Sequence, residues 1–345
     1  MLLKMLAVAV VALLIATAAS PGLGQAGRPE KPRFVLAVGG QEALVYLPVS
    51  VAARLGYFKD AGLDPDIQNF AGGGLALRAL IGGSADAVSG FYDHTIQMQA
   101  QGRRIKAVVM QQRYPGLVLA VAKHAADQGV RSLTDLRGKK IGVTAPGSST
   151  HFFANFLMTR VGVGLDEFSI IGIGIGASAL AAVRARQVDA ISNVEPTMST
   201  LLSTGDISLI LADTRTTTGT LRVFGGPYPA ACIYLKDEFI QQNPNTVQAI
   251  VTAMVRALRW IKAHKAEEIV ALMPPEYYQG NRELYTQAVR SMLESYSLDG
   301  RISPAGAPNA LAVLSSFDAT VRRATINVGD TYDMRFVETF WKTQK

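Results

Sequence analysis

Residues 74–90 read GLALRALIGGSADAVSG, and residues 177–193 read ASALAAVRARQVDAISN. In each, an Ala/Leu-rich stretch carrying arginine leads into Asp-Ala and then a short apolar run. The pairs Asp86-Ala87 and Asp189-Ala190 stand about 100 residues apart, longer than the roughly 20–50 residues of a solenoid repeat. Ala61-Gly62-Leu63-Asp64 recurs at nearly the same offset as Val163-Gly164-Leu165-Asp166. Such a repeat constrains the chain to two small α/β lobes of one design, with a cleft between them.

The apolar runs fit this reading. Residues 34–38, 66–70, 87–89 and 105–110 read as strands separated by helical stretches, and the pattern restarts at 139–143, 168–173, 190–193 and 208–212. Strands alternating with helices imply mostly parallel sheets with right-handed crossovers. Two further runs, 116–121 and 230–235, have the place in sequence of strands that cross between lobes. Two crossings make the second lobe an insertion in the first and form a two-strand hinge. The expected division is 27–117 with 231–345 for the first lobe and 118–230 for the second. Beyond 243 the apolar stripes are helical, expected after Asn243-Pro244 and over 283–296, 308–324 and 335–341.

The first 26 residues read as a cleaved secretory leader: Lys4, an apolar run from Leu6 to Ala16, and Gly24-Gln25-Ala26 with small residues before the cut. The mature chain is expected in the periplasm as a monomer, stabilised by its cores, because Cys232 is the one cysteine. The net charge of +7 comes from scattered Lys and Arg, not from the clustered basic stripe with aromatics that marks a nucleic-acid binder. The four histidines are far apart with no second cysteine, so no metal is expected. Gly172-Ile173-Gly174-Ile175-Gly176 lacks the last glycine of a dinucleotide fingerprint, and no cofactor is expected.

Ligands of open α/β sheets sit beyond the carboxyl ends of strands. This selects the loops after Val38, Ser89, Val143 and Asn193. Ala145-Pro146-Gly147-Ser148-Ser149-Thr150-His151 joins a strand to a helix start with three hydroxyls, where a small anion or an ordinary cap are the alternatives. It matches neither the G-x-S-x-G elbow nor the P-loop. The loop Tyr92-Asp93-His94 and its counterpart at Glu195 add carboxylate, imidazole and aromatic groups, each of which has an equally good reading as a cap, a surface group or a solvated charge. Gly39-Gly40-Gln41-Glu42 and Gly72-Gly73-Gly74 supply backbone able to approach a ligand closely.

Leu55-Gly56-Tyr57-Phe58-Lys59-Asp60-Ala61-Gly62-Leu63, Gly83-Ser84-Ala85-Asp86-Ala87, the run from Asp135 to Val143, Gly147 to His151, and Val188-Asp189-Ala190 with Glu195-Pro196 carry a family likeness. On these segments the chain resembles the periplasmic substrate-binding proteins of ABC importers in the nitrate/taurine/alkanesulfonate/thiamine-precursor group. The resemblance implies a two-lobed type II periplasmic-binding fold that closes on a small solute and delivers it to a permease and its ATPase, without catalysis. It assigns ligand contact to Ser148, Ser149, Thr150 and His151, and lines the cleft with Gln41, Tyr92, Asp93, His94 and Glu195. Tyr46, Tyr92 and Tyr228 are candidate stacking partners. Val194-Glu195-Pro196 departs from the Trp-containing motif of sulfonate binders, and no arginine is clearly placed to offset Asp93 and Glu195. The expected solute is therefore organic, with an acidic end and a donor-rich or aromatic body. The alternative is a binder or biosynthetic relative directed at thiamine-type pyrimidines, although the Cys-rich iron-binding segment of those enzymes is missing from this sequence.

Overall fold

The computed structural model describes residues 27–344; the leader expected over 1–26 lies outside the described residues. Ten strands form two five-stranded sheets. The first contains β1 (Arg33–Val38), β2 (Asp64–Asn69), β3 (Ala87–Phe91), β4 (Ile105–Met110) and β10 (Ala231–Lys236), in the order β2-β1-β3-β10-β4. The second contains β5 (Val118–Ala122), β6 (Lys140–Val143), β7 (Ser169–Gly172), β8 (Ala190–Asn193) and β9 (Ile207–Asp213), in the order β7-β6-β8-β5-β9. The two orders superimpose: β1, β2, β3, β10 and β4 correspond to β6, β7, β8, β5 and β9.

Within each sheet β1–β3 and β6–β8 pair in parallel, as the alternating pattern predicts. β10 and β5 run antiparallel to both of their neighbours. Each arrives from the opposite sheet, so it enters at the end where the other strands leave. Each sheet is therefore mixed.

The repeated Asp-Ala has a structural reason that its sequence does not disclose. Asp86 Oδ2 accepts the Val35 N–H at 3.0 Å, and Asp189 Oδ2 accepts the Lys140 N–H at 2.8 Å. In return the Asp86 N–H donates to Val35 O at 3.0 Å and the Asp189 N–H to Lys140 O at 2.8 Å. Each aspartate thus fastens its own strand to the start of the parallel strand beside it, β1 or β6. A basic side chain lies beside each one: Lys31 Nζ is 2.7 Å from Asp86, and the His124 imidazole Nε2 is 3.6 Å from Asp189.

The helical C-terminal part covers the first sheet and reaches across to the second. In Pro244–Ala263 the expected stripe of Val247, Ile250, Val251, Met254, Leu258 and Ile261 is buried. The helix expected over 308–324 is two, Gly306–Phe317 and Ala319–Arg323. Asp318 divides them, because its carboxylate accepts the N–H groups of Thr320 and Val321 as an N-cap. Gly306–Phe317 packs against Ser149–Arg160 of the second lobe, with the Phe317 and Phe152 rings 6.2 Å apart. Cys232 is buried and free, packed within the core of the first lobe. Among the described residues no helix is long and apolar enough to cross a membrane.

Candidate functional site

Loops from the carboxyl ends of both sheets meet around a cavity of about 20 Å³, room for an ordered water or so. Gly39 follows β1, Gly73 follows β2 and Phe91 ends β3; Thr144 and Ser148–Thr150 follow β6, Ile175 follows β7 and Val194 follows β8. The four loops selected from the sequence all contribute. Tyr46 adds its ring, set edge-on against Phe91 at 6.2 Å. Burial, with the charge of Asp93 adding to it, pushes the Tyr46 phenol well above its usual range, so it stays protonated.

Glycine is required where the two lobes touch. A Cβ on Gly74 would lie 2.8 Å from the carbonyl oxygen of Pro146 and the carbonyl carbon of Gly147, across the cleft. Within the first lobe, a Cβ on Gly39 would lie 2.7 Å from the backbone of Gly73. Both contacts are with main chain, which cannot move aside as a side chain can.

The hydroxyl turn is committed to protein partners. Ser148 occupies the N-cap position of Ser149–Arg160, yet its side chain makes no cap. Its Oγ accepts the Gly74 N–H from the first lobe at 2.8 Å. Ser149 donates to Asp93 Oδ1 at 2.7 Å, again across the cleft. Thr150 Oγ1 accepts the Thr144 N–H at 3.1 Å and lies 2.9 Å from the Thr144 hydroxyl. His151 turns back: its Nδ1 accepts the Gly147 N–H at 3.0 Å, and the ring does not line the cavity. Burial lowers the His151 pKa.

Asp93 and His94 open the helix Asp93–Ala100 directly after β3, and both are buried. Neither is a surface group, and the Asp93 side chain is not a cap. Its Oδ2 accepts the Tyr228 hydroxyl at 3.2 Å while Oδ1 takes Ser149. Burial raises the Asp93 pKa against the opposing pull of His94, Ser149 and Tyr228. His94 has both ring nitrogens engaged, Nδ1 with the Tyr234 hydroxyl at 2.9 Å and Nε2 with Gly147 O at 3.2 Å in the other lobe. Burial lowers its pKa, and Asp93 offsets this only in part.

Three expected residues serve other purposes. Tyr92 sends its hydroxyl to Thr331, away from the cavity. The Tyr228 ring is stacked on Phe224 at 4.2 Å, so that face is taken. Gln41 donates its N–H to Asn69 and faces a separate groove with Tyr277, outside the cavity. At Glu195 the expectation that no arginine offsets the charge is corrected. Glu195 is fully buried, and Arg215 Nη1 meets its Oε1 at 2.6 Å. Arg215 is also held by Asp213; although burial works against its charge, the two carboxylates outweigh it and raise its pKa. The Glu195 backbone carbonyl accepts the Leu44 N–H of the first lobe at 2.9 Å. The sequence does not signal Arg215 as a partner, because it lies 20 residues beyond Glu195, after β9. Thr144 and Ile175 were missed for want of any chemical signal.

The fold agrees with what the chain resembles. A family model described as NMT1/THI5 like matches residues 44–268. The chain belongs to the NMT1/THI5-like family. Among solved structures, a Bordetella bronchiseptica RB50 protein is 40% identical, with a TM-score of 0.88 over 92% of this chain and 99% of that one. The periplasmic nitrate-binding protein NrtA of Synechocystis PCC 6803 shares the fold at 16% identity, with a TM-score of 0.69 over 92% of this chain and 89% of that one. Among curated proteins, one of Brucella abortus (strain 2308), provisionally named a binding protein, is 24% identical over 211 residues. That match spans 60% of this chain and 60% of the Brucella protein, so the chain covers about three-fifths of the length of that relative. Relatives of this chain are thus named as binding proteins, and the fold is that of a periplasmic binding protein.

Proposed function

We propose that this chain is the solute-capturing component of an ABC importer, exported to the periplasm after loss of residues 1–26. In this reading 27–117 with 231–345 form one jaw and 118–230 the other. A small organic solute enters between them, the hinge closes, and the loaded protein presents it to a permease and its ATPase. Closure is driven by the solute's higher affinity for the closed form.

One observation carries the reading. Three hydrogen bonds, Gly74 N–H to Ser148, Ser149 to Asp93 and His94 to Gly147 O, join the two lobes around one cavity. All three involve loops beyond strand ends, and all would separate if the hinge opened. Capture is favoured over turnover because both imidazoles near the cleft are bound to protein groups.

The test is a thermal-shift screen of sulfonates, aromatic carboxylates, pyrimidines and small amines, followed by analysis of the recovered solute. A ligand at a hundred times its Kd should add about 2.7 kcal/mol of stability and be recovered unchanged. No shift with any class would remove the capture reading, and chemical conversion of the solute would replace it with an enzyme.

A further inference from the structure

We propose that Asp93 sets the ligand class of the cleft: it excludes small anions and selects solutes that present a neutral or cationic N–H donor to Ser149. This rests on the solute-capture reading.

The argument is an inventory of donors. A serine hydroxyl has one proton to give and lone pairs to accept with. Ser149 lines the cavity at the start of the helix Ser149–Arg160, where a free hydroxyl and the positive helix end would suit an anion. Its proton, however, goes to Asp93 Oδ1 at 2.7 Å. Ser149 is left able only to accept. The helix end already faces a carboxylate, supplied by the protein from the opposite lobe. An anion placed at Ser149 would find no hydroxyl proton and would lie next to the Asp93 carboxyl group.

Asp93 also lacks a strong counter-charge of its own. Among the described residues no Lys or Arg pairs with it. Its second oxygen accepts the neutral Tyr228 hydroxyl. His94, its neighbour in sequence, has both ring nitrogens committed to Tyr234 and Gly147. Glu195, the other carboxylate of the cleft loops, is by contrast fully paired with Arg215 and the Ser199 N–H. A buried carboxylate without a cation is costly, and a ligand bearing positive charge offsets that cost. The acidic end expected from the sequence is therefore replaced by a donor end.

The proposal is tested with two probes of one body and opposite heads, benzamidine and benzenesulfonate, titrated calorimetrically into the mature chain and into Asp93→Asn and Asp93→Ala. Wild type should prefer benzamidine by about tenfold or more, the worth of one charge-assisted hydrogen bond. In both variants the preference should shrink or reverse, with benzenesulfonate binding tightened. Two variants guard against one failing to fold, which circular dichroism will reveal. Wild type binding benzenesulfonate as tightly as benzamidine, or a preference unchanged in a folded variant, would overturn the assignment. If the solute screen recovers an anion from the cleft, capture stands and the role of Asp93 falls. If neither probe binds wild type but benzenesulfonate binds a variant, exclusion by Asp93 stands.

Discussion

Glu195 has no exposed surface, and its charge is tolerated because Arg215 reaches it. Removing one partner of such a pair leaves a buried charge uncompensated, typically at about 3–5 kcal/mol. Arg215→Met should therefore lower the urea midpoint strongly, and adding Glu195→Gln should recover much of the loss. A double variant no more stable than Arg215→Met would show that the pair matters only through Arg215 and Asp213. His151 gives a pH dependence of definite sign. Its Nδ1 accepts the Gly147 N–H and its pKa is lowered by burial, so the folded protein keeps it neutral. As pH falls below the ordinary imidazole value of 6.5, the unfolded chain takes a proton that the folded one refuses, and stability is lost. Asp93 works in the opposite sense, its raised pKa adding stability as pH falls. The histidine contribution is isolated by comparing wild type with His151→Asn between pH 7.5 and 5.5, where the variant should lose less stability. At this scale the sequence was a partial guide. Asp93, Ser149 and Glu195 could be picked out because they occupy loops after strands. Their partners could not, since Asp93 and Ser149 lie 56 positions apart and no local pattern links them.

The elements were easier to read than their contacts. Strands such as Ile105–Met110 and Ala190–Asn193 are short apolar runs between polar turns, and their limits match the expectation. Helices Thr197–Ser203 and Thr217–Phe224 were not marked, because runs of threonine and serine hide the apolar face that Met198, Leu201, Val223 and Phe224 bury. The first turn of the helix Gly73–Gly82, just after β2, illustrates what glycine does at element scale. Gly74 approaches Pro146 and Gly147 so closely that one methyl group meets backbone. Gly74→Ala is expected to hold the lobes apart, raising the radius of gyration measured by X-ray scattering and weakening solute binding while the melting temperature changes little. An unchanged radius together with unchanged affinity would mean that the start of this helix shifts to accommodate the methyl group.

Across the whole molecule, the matched sheet orders state the duplication more fully than the repeated Asp-Ala could. The two lobes use the same scaffold, and they differ in the loops that face each other. The topology also has a temporal consequence. β5 precedes β6, β7, β8 and β9 in the chain, so every strand of the second sheet is present once residue 213 has been made. The first sheet has no such continuity: β4 reaches β3 only through β10, which arrives after the entire second lobe. Until residues 231–236 emerge, β3 has a bare edge and β4 has no neighbour in its sheet. The later-encoded lobe should therefore acquire its structure first, by closing its pairings over shorter stretches of chain. Pulsed hydrogen exchange during refolding would then protect the amides of β6 and β8 before those of β3 and β4, and the reverse order would contradict this. A nascent chain halted after residue 230 would carry one finished lobe and one open sheet. The last strand to be threaded is the one that turns two halves into a jaw.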